Sequence, residues 1–485
     1  MLTAMDRFRR AVWIGSVLAM VVFVALLLRA PTDPRTDVLG NIHDVQARAL
    51  FDGRWNMPAT ALAIEGFNID GKFHTYFGPW PTVLRMPILL VTDRFDGALT
   101  GPSMLAALAV LLAACAALQR RIWATFAAVA EADPTLGVAS AIAAMQFIVG
   151  AGSIVVFLGS RPLIYHEMEL WGIAGAVLST ATVVRFAADR TAANAARCCG
   201  AATITLLSRP STGMGVIVTL VLVLIAYGSL RTSTKPSTDS QGRASRPVTL
   251  ALAAAIALPV LLYGAVNIAR FGAPFALPLE QQVFTALDHR RQVVLADNNG
   301  SMFGAKFAPT TVVQYLRPDA LRIVSEAPFV TFPRWRATVI GDATFDTLDR
   351  ASSIPSSMPG ITLLAGLGTA ALLQRRRRNE LLRTFGPVVL GGAVGFGSTI
   401  AIAFVAHRYL ADAFPPLIVL ALLGMHALLA APRHRTRSIA TAVITVACVA
   451  GCWISLGLGV VFQRDLQCGD PGYGRGTEPV VCAPR

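Results

Sequence analysis

The sequence predicts an all-α polytopic membrane protein that crosses the bilayer about eleven times. Three observations carry that prediction. Hydrophobic residues fill 54% of 485 positions and charged ones only 14%, where a soluble domain carries about 25% charged residues. Mean hydropathy is +0.58. Uncharged runs of about 20 residues, enough to cross ~30 Å of hydrocarbon, recur along the whole chain.

The first run, 11–28, follows Arg7-Phe8-Arg9-Arg10 and is followed by Arg29-Ala30-Pro31. No small-x-small cleavage site stands there, so it reads as an uncleaved first helix with its N-terminus in the cytoplasm. Further runs cover 97–119, 136–160, 170–184, 210–230, 248–269, 352–374, 384–406, 413–432 and 438–463. A shorter run, 198–208, is ambiguous by length, and charge decides it. If it does not cross, the basic segment 231–247, the run Arg375 to Arg378 and the cluster Arg433, Arg435 and Arg437 all face outside. If it crosses, all three lie in the cytoplasm, as the positive-inside rule requires. The result is one transmembrane domain over 1–463, outer loops at about 30–94 and 270–351, a cytoplasmic linker at 231–247 and an outer tail at 464–485.

Only Lys72, Lys235 and Lys306 are lysine among 42 basic residues, which with abundant alanine suggests a GC-rich bacterial genome and hence a bacterial inner membrane. The net charge of +14 fits arginines held on cytoplasmic loops against anionic lipid rather than a nucleic-acid partner. Cys115, Cys198, Cys199, Cys448 and Cys452 sit in or beside spans, where a free thiol packs as a small apolar group. Cys468 and Cys482 lie in the tail, where the oxidising outer compartment permits a disulfide. No Cys/His metal-site spacing and no phosphate-binding glycine loop occurs, so neither a metal nor a cofactor is expected.

This topology gathers the conspicuous polar clusters on the outer face. Asp44 lies on a short amphipathic stretch, 40–51, whose Ile42, Val45 and Ala49 face the membrane interface. Its carboxylate suits proton removal from an acceptor hydroxyl, or an i,i+4 pair with Arg48. Tyr165-His166-Glu167 opens a span, where Glu167 either complements the helix dipole or holds a sugar hydroxyl. Arg209, before Pro210, and Arg408, in His407-Arg408-Tyr409, are parallel cases: each heads a span and either binds a lipid-linked phosphate or snorkels to headgroups. Lys72, His74 and Tyr76 alternate along an extended stretch ending in Gly78-Pro79-Trp80-Pro81, so they share one side. That polar, aromatic lip suits carbohydrate; its aromatics also fit an interfacial belt.

Four stretches carry a resemblance: Asp44 to Trp55, with Gly53-Arg54-Trp55; 71–81, leading into the second span; Asn267-Ile268-Ala269-Arg270-Phe271-Gly272-Ala273-Pro274; and His407-Arg408-Tyr409-Leu410 with Pro415-Pro416 following. Together they resemble the GT-C superfamily, integral membrane glycosyltransferases such as the protein O-mannosyltransferase, aminoarabinose transferase and mycobacterial mannosyl- and arabinosyltransferase families. The chain departs from that pattern at His43, where the family commonly has a second acidic residue beside Asp44. The resemblance implies inverting transfer of a sugar from a polyprenyl-phosphate donor to a glycan, lipid or protein acceptor on the outer face. Asp44 would be the base, with Glu167 beside it. Arg209, Arg408 and Lys72 would bind the donor phosphate, and His43, His74, Tyr76, Tyr165 and His166 the sugar or acceptor. Some such enzymes use a divalent cation and some do not. A transporter or lipid flippase would show inverted repeats and mid-span charges, whereas no internal repeat is visible and the spans are almost free of charge. A non-catalytic scaffold of envelope assembly is the remaining alternative.

Overall fold

The computed structural model describes residues 4–30, 39–127, 136–228, 245–374, 378–431 and 434–467. Cys468, Cys482, most of the 231–247 linker and Arg375 to Arg377 lie outside them. The longer helices are α1 (Ala4–Leu28), α2 (Ile42–Phe51), α3 (Trp80–Val91), α4 (Thr100–Ala127), α5 (Leu136–Ala151), α6 (Ile164–Ala188), α7 (Ala192–Leu206), α8 (Pro210–Tyr227), α9 (Arg246–Phe271), α10 (Pro359–Leu373), α11 (Arg378–Ile400), α12 (Leu410–Leu429) and α13 (His434–Gln467).

Nine helical segments among the described residues are long and apolar enough to cross a membrane. The other two expected spans became α7 and α10, each 15 residues. A helix of that length reaches roughly 22 Å, yet α7 runs from the far end of α6 back to Arg209, which meets Glu169 and Asp412 at the loop end. Arg197 breaks the apolar surface of α7, and Pro359 fixes the start of α10. Small residues let spans approach closely: Gly368 of α10 lies against the Leu420 and Gly424 backbone of α12, and Gly424 against Leu364 of α10.

Two long loops cap one end of the bundle. In the first, a hairpin pairs β1 (Phe67–Ile69) with β2 (Lys72–His74). The second adds β3 (Arg322–Ile323) against β4 (Val330–Thr331), and β5 (Thr347–Leu348) runs parallel to β6 (Phe404–Val405) ahead of α12. A bridge from Phe67 to Gln282 sews the two loops together. The second loop opens as α9 ends at Gly272, whose φ of +72° is the left-handed terminating conformation that glycine adopts without a Cβ penalty.

Two local expectations are corrected. The apolar face of α2 is not on the membrane interface: Ile42 and Ala49 are buried with Met57, Leu62, Phe77, Ile164 and Met168, and Val45 packs against them. Covering α6 removes more apolar surface from water than resting on headgroups would. The 71–81 stretch leads not into the second span but into the separate helix α3. The chain stops at Thr92 and restarts at Thr100 because Asp93, Arg94 and Asp96 interrupt the apolar run.

Candidate functional site

The loop end of the bundle holds three ionic clusters and two arginines without carboxylate partners. Asp44 and Glu167 meet in the first cluster, although 123 positions do not suggest it: both bind Arg85. Arg85 Nε lies 2.8 Å from Asp44 Oδ1, and its Nη2 lies 2.9 Å from Glu167 Oε2. The same Nη2 donates to Thr100 Oγ1 at 2.9 Å, and Thr100 in turn donates to the Gly40 carbonyl. Asp44 is 2% exposed and Glu167 0%. The i,i+4 pair of Asp44 with Arg48 does not form, because Arg48 turns to Asp96 at 2.8 Å. Burial raises the Asp44 carboxyl above its usual range, and Arg85 pulls it partly back. His43, 2.9 Å from Thr82 Oγ1, is held well below its ordinary pKa by burial and then by Arg85 and Arg270. It is therefore a neutral imidazole.

The second cluster centres on Glu65, which the sequence reading passed over. Tyr76 donates to its Oε2 at 3.2 Å, Tyr165 makes a short hydrogen bond to its Oε1, and Gln282 Nε2 donates at 3.3 Å. Gln282 accepts from Arg291 at 2.8 Å, and Arg291 grips Asp346 with two hydrogen bonds. Tyr76 thus belongs with Tyr165 rather than with Lys72. Burial, then Glu65, pushes the Tyr76 hydroxyl well up, so it remains a neutral donor.

In the third cluster Arg209 is fully answered. It makes a two-point contact to Asp412 (3.2 and 2.8 Å) and an ion pair to Glu169 at 2.9 Å. Ser211, Thr212 and Thr399 all donate to Asp412. The lone pairs of Asp412 are therefore occupied, and Arg209 keeps 22% of its side chain exposed.

Arg408 differs. Its guanidinium lies 4.7 Å from the Tyr165 ring centroid, 5.1 Å from Tyr409 and 5.5 Å from Phe404. Two carboxylates, Asp349 and Glu169, act on its charge at longer range. Asp349, anchored by its N–H to the Val405 carbonyl at 2.9 Å, faces the same region. Burial raises its carboxyl to about 6 against the pull of Arg408. Arg270, 3% exposed, donates to the Phe77 carbonyl and lies over Trp55; it too lacks a carboxylate.

The remaining candidates fall apart from this centre. Lys72 stands exposed at the hairpin, with no contact to Arg209 or Arg408. His74 is buried edge-on to Phe271, and burial lowers its pKa. His166 sits within 3.0 Å of the Leu158 carbonyl among Phe157 and Phe462, a core position that holds two spans together. Arg85, Glu65, Glu169, Asp412, Asp349 and Arg270 went unread. A signal existed for two of them: Glu169 and Asp412 are carboxylates inside apolar spans, where a charge needs a partner. Among the described residues no three His, Cys, Asp or Glu side chains group so as to hold a metal ion.

No protein-family model matches the chain, and no curated protein matches it. Several solved structures are similar, among them three of one archaeal enzyme. The Archaeoglobus fulgidus oligosaccharyltransferase in its apo form gives a TM-score of 0.46 at 15% identity, covering 91% of this chain and 55% of its own. The oligosaccharyltransferase AglB of the same organism, in complex with an inhibitory peptide and a dolichol-phosphate, gives 0.43 at 13%, covering 92% and 55%. A form of that enzyme tethered to an acceptor peptide with the NVT sequon gives 0.43 at 14%, covering 96% and 56%. The chain spans about 55% of the length of the first two of these.

Proposed function

We propose that this chain is an inverting membrane glycosyltransferase of the GT-C kind. It moves a sugar from a polyprenyl-phosphate donor to a glycan, lipid or protein acceptor on the outer face of a bacterial inner membrane. One observation carries the reading. Where both long loops converge, Arg408 presents a guanidinium walled by three aromatic rings, with Asp349 the nearby carboxylate that feels its charge. A two-pronged cation of this kind matches a lipid-linked phosphate, and the surrounding tyrosines supply a face for a sugar ring.

The acceptor oxygen attacks the anomeric carbon as the bond to the phosphate oxygen breaks, and both electrons leave with the phosphate. Arg408 stabilises the charge that develops there, a large contribution in a site shielded from water. Arg209, saturated by Asp412 and Glu169, fixes the wall beside it, and Lys72 stands at the mouth. The acceptor proton passes to Asp44, whose burial raises its proton affinity and so suits it to a base's work near neutrality. Glu167 shares Arg85 and sets the orientation of that guanidinium. Glu65 aligns Tyr76 and Tyr165, with His43 and His74 on the loop behind.

The test is sugar release from labelled polyprenyl-phosphate donors in membranes holding wild type or Asp44→Asn. Loss in a variant that still inserts supports both the class and the base. Retained transfer in Asp44→Asn with loss in Asp349→Asn moves the base to Asp349. A wild type that transfers nothing from any such donor sinks the proposal.

A further inference from the structure

The opposite end of the same helices holds a second feature. α6 begins at the Tyr165–Glu169 segment and ends at Ala188, α8 begins after Arg209 and ends at Tyr227, and α11 ends beside Asp412 through Thr399. The far ends of these three helices, together with α4, enclose a cavity of about 610 Å³, within the ~300–1,000 Å³ range of small-ligand sites. Arg121, Thr125, Arg190, Tyr227, Arg383 and Thr384 line it, and no carboxylate lies among the described lining residues.

The arginines are not merely near the cavity. Arg190 lies over the Tyr227 ring, 4.8 Å from its centroid, and its Nε is buried without a hydrogen-bond partner. Tyr227 donates its hydroxyl to the Arg383 backbone carbonyl at 3.3 Å, tying α8 to α11 across the cavity. Elsewhere among the described residues Arg85 is answered by Asp44 and Glu167, Arg209 by Asp412 and Glu169, and Arg291 by Asp346, whereas Arg270 and Arg408 are not paired in this way. Here Arg121, Arg190 and Arg383 line one cavity, with no carboxylate among its described lining residues. Cations left together in a half-enclosed site repel one another unless an anion joins them.

We propose that this cavity is a phosphate-binding site, separate from the candidate transfer site and independent of its chemistry. Guanidinium forks pair with phosphate oxygens in two-point contacts, while Thr384 supplies a hydroxyl for a remaining oxygen. The positive-inside rule assigns this end to the cytoplasm, where basic pockets between spans take anionic headgroups. The phosphate comes from an anionic lipid headgroup or from a soluble phosphate, and the experiment separates the two.

The full chain is reconstituted in phosphatidylcholine nanodiscs with or without phosphatidylglycerol, and retained lipid is counted by native mass spectrometry. Thermal midpoints are read in parallel with inorganic phosphate and with pyrophosphate. Selective retention of phosphatidylglycerol, weakened on the order of tenfold by Arg190→Ala or Arg383→Ala and partly restored by Arg190→Lys, supports a headgroup site. Stabilisation by pyrophosphate that the same variants abolish, without lipid selectivity, supports the site with a soluble occupant. Equal retention of both lipids with no response to soluble phosphate overturns the proposal. So does a loss as large in Arg9→Ala/Arg10→Ala, which removes exposed charge at the N-terminal end of α1 and would show diffuse attraction only.

Discussion

Arg209 and Arg408 look alike in sequence, each an arginine at the head of an apolar span, yet the fold gives them opposite situations. Arg209 is held by two carboxylates, and the hydroxyls of Ser211, Thr212 and Thr399 complete the shell of one of them. Arg408 is walled by three rings. The lesson is that a buried arginine's work depends on whether its hydrogen-bonding edge is spent. A saturated one fastens helices, and one supported only on its faces keeps that edge for a ligand.

Substitutions test this contrast directly. Arg408→Ala should lower sugar transfer by about 10²–10³-fold, the usual cost of removing one donor to developing charge, with the thermal midpoint nearly unmoved. Arg408→Lys should recover little, because an ammonium lacks the two-point fork. Arg209→Ala should behave the other way. It strands Asp412 and Glu169 as uncompensated buried charges, at about 3 kcal/mol, the low end of the range because Arg209 is part exposed. Denaturation in detergent should show it, and Arg209→Ala/Asp412→Ala should lose less than the two single changes summed.

Acidity sharpens the comparison further. Asp349, beside Arg408, is raised to about 6, so transfer should fall as pH drops through about 6 and Asp349 takes up a proton. In Asp349→Asn that limb should vanish from the pH–rate profile, while an unrelated acidic residue would leave it in place. The smallest effect belongs to the wall itself. Tyr165→Phe removes one hydrogen bond to Glu65 and should raise KM a few-fold, about 1 kcal/mol, with kcat kept.

The sequence made the membrane class plain, because long uncharged runs have no soluble use, and it pointed to the outer loops. It also picked out Asp44, Glu167, Arg209 and Arg408, which do gather at one end. Their partners were illegible for a physical reason: ion pairs form across helices, and no local pattern records that Arg85 sits between Asp44 and Glu167. Local patterns misled where they competed with tertiary ones, as when Asp44 and Arg48 stood at helical spacing yet each found another partner. The alternation of Lys72, His74 and Tyr76 failed similarly, since β2 ends at His74 and Tyr76 swings to Glu65. Helix length set the other limit, because α7 and α10 are apolar enough to suggest spans yet only 15 residues long.

The Arg209–Asp412 pair joins positions 203 residues apart, and that separation bears on how the protein is made. A ribosome delivers Arg209 to the membrane well before Asp412 exists. Until α12 is threaded, α8 holds an arginine answered only by Glu169, and the neighbouring hydroxyls of Ser211 and Thr212 have no carboxylate to serve. The Arg85 cluster of the first loop can close sooner, since Arg85 waits only for Glu167. Biogenesis therefore runs in two stages, an early docking of the first loop and a late closure when the last third of the chain arrives. Nascent chains stopped before α12 should remain protease-sensitive around α8 while the α2–α6 region is already resistant.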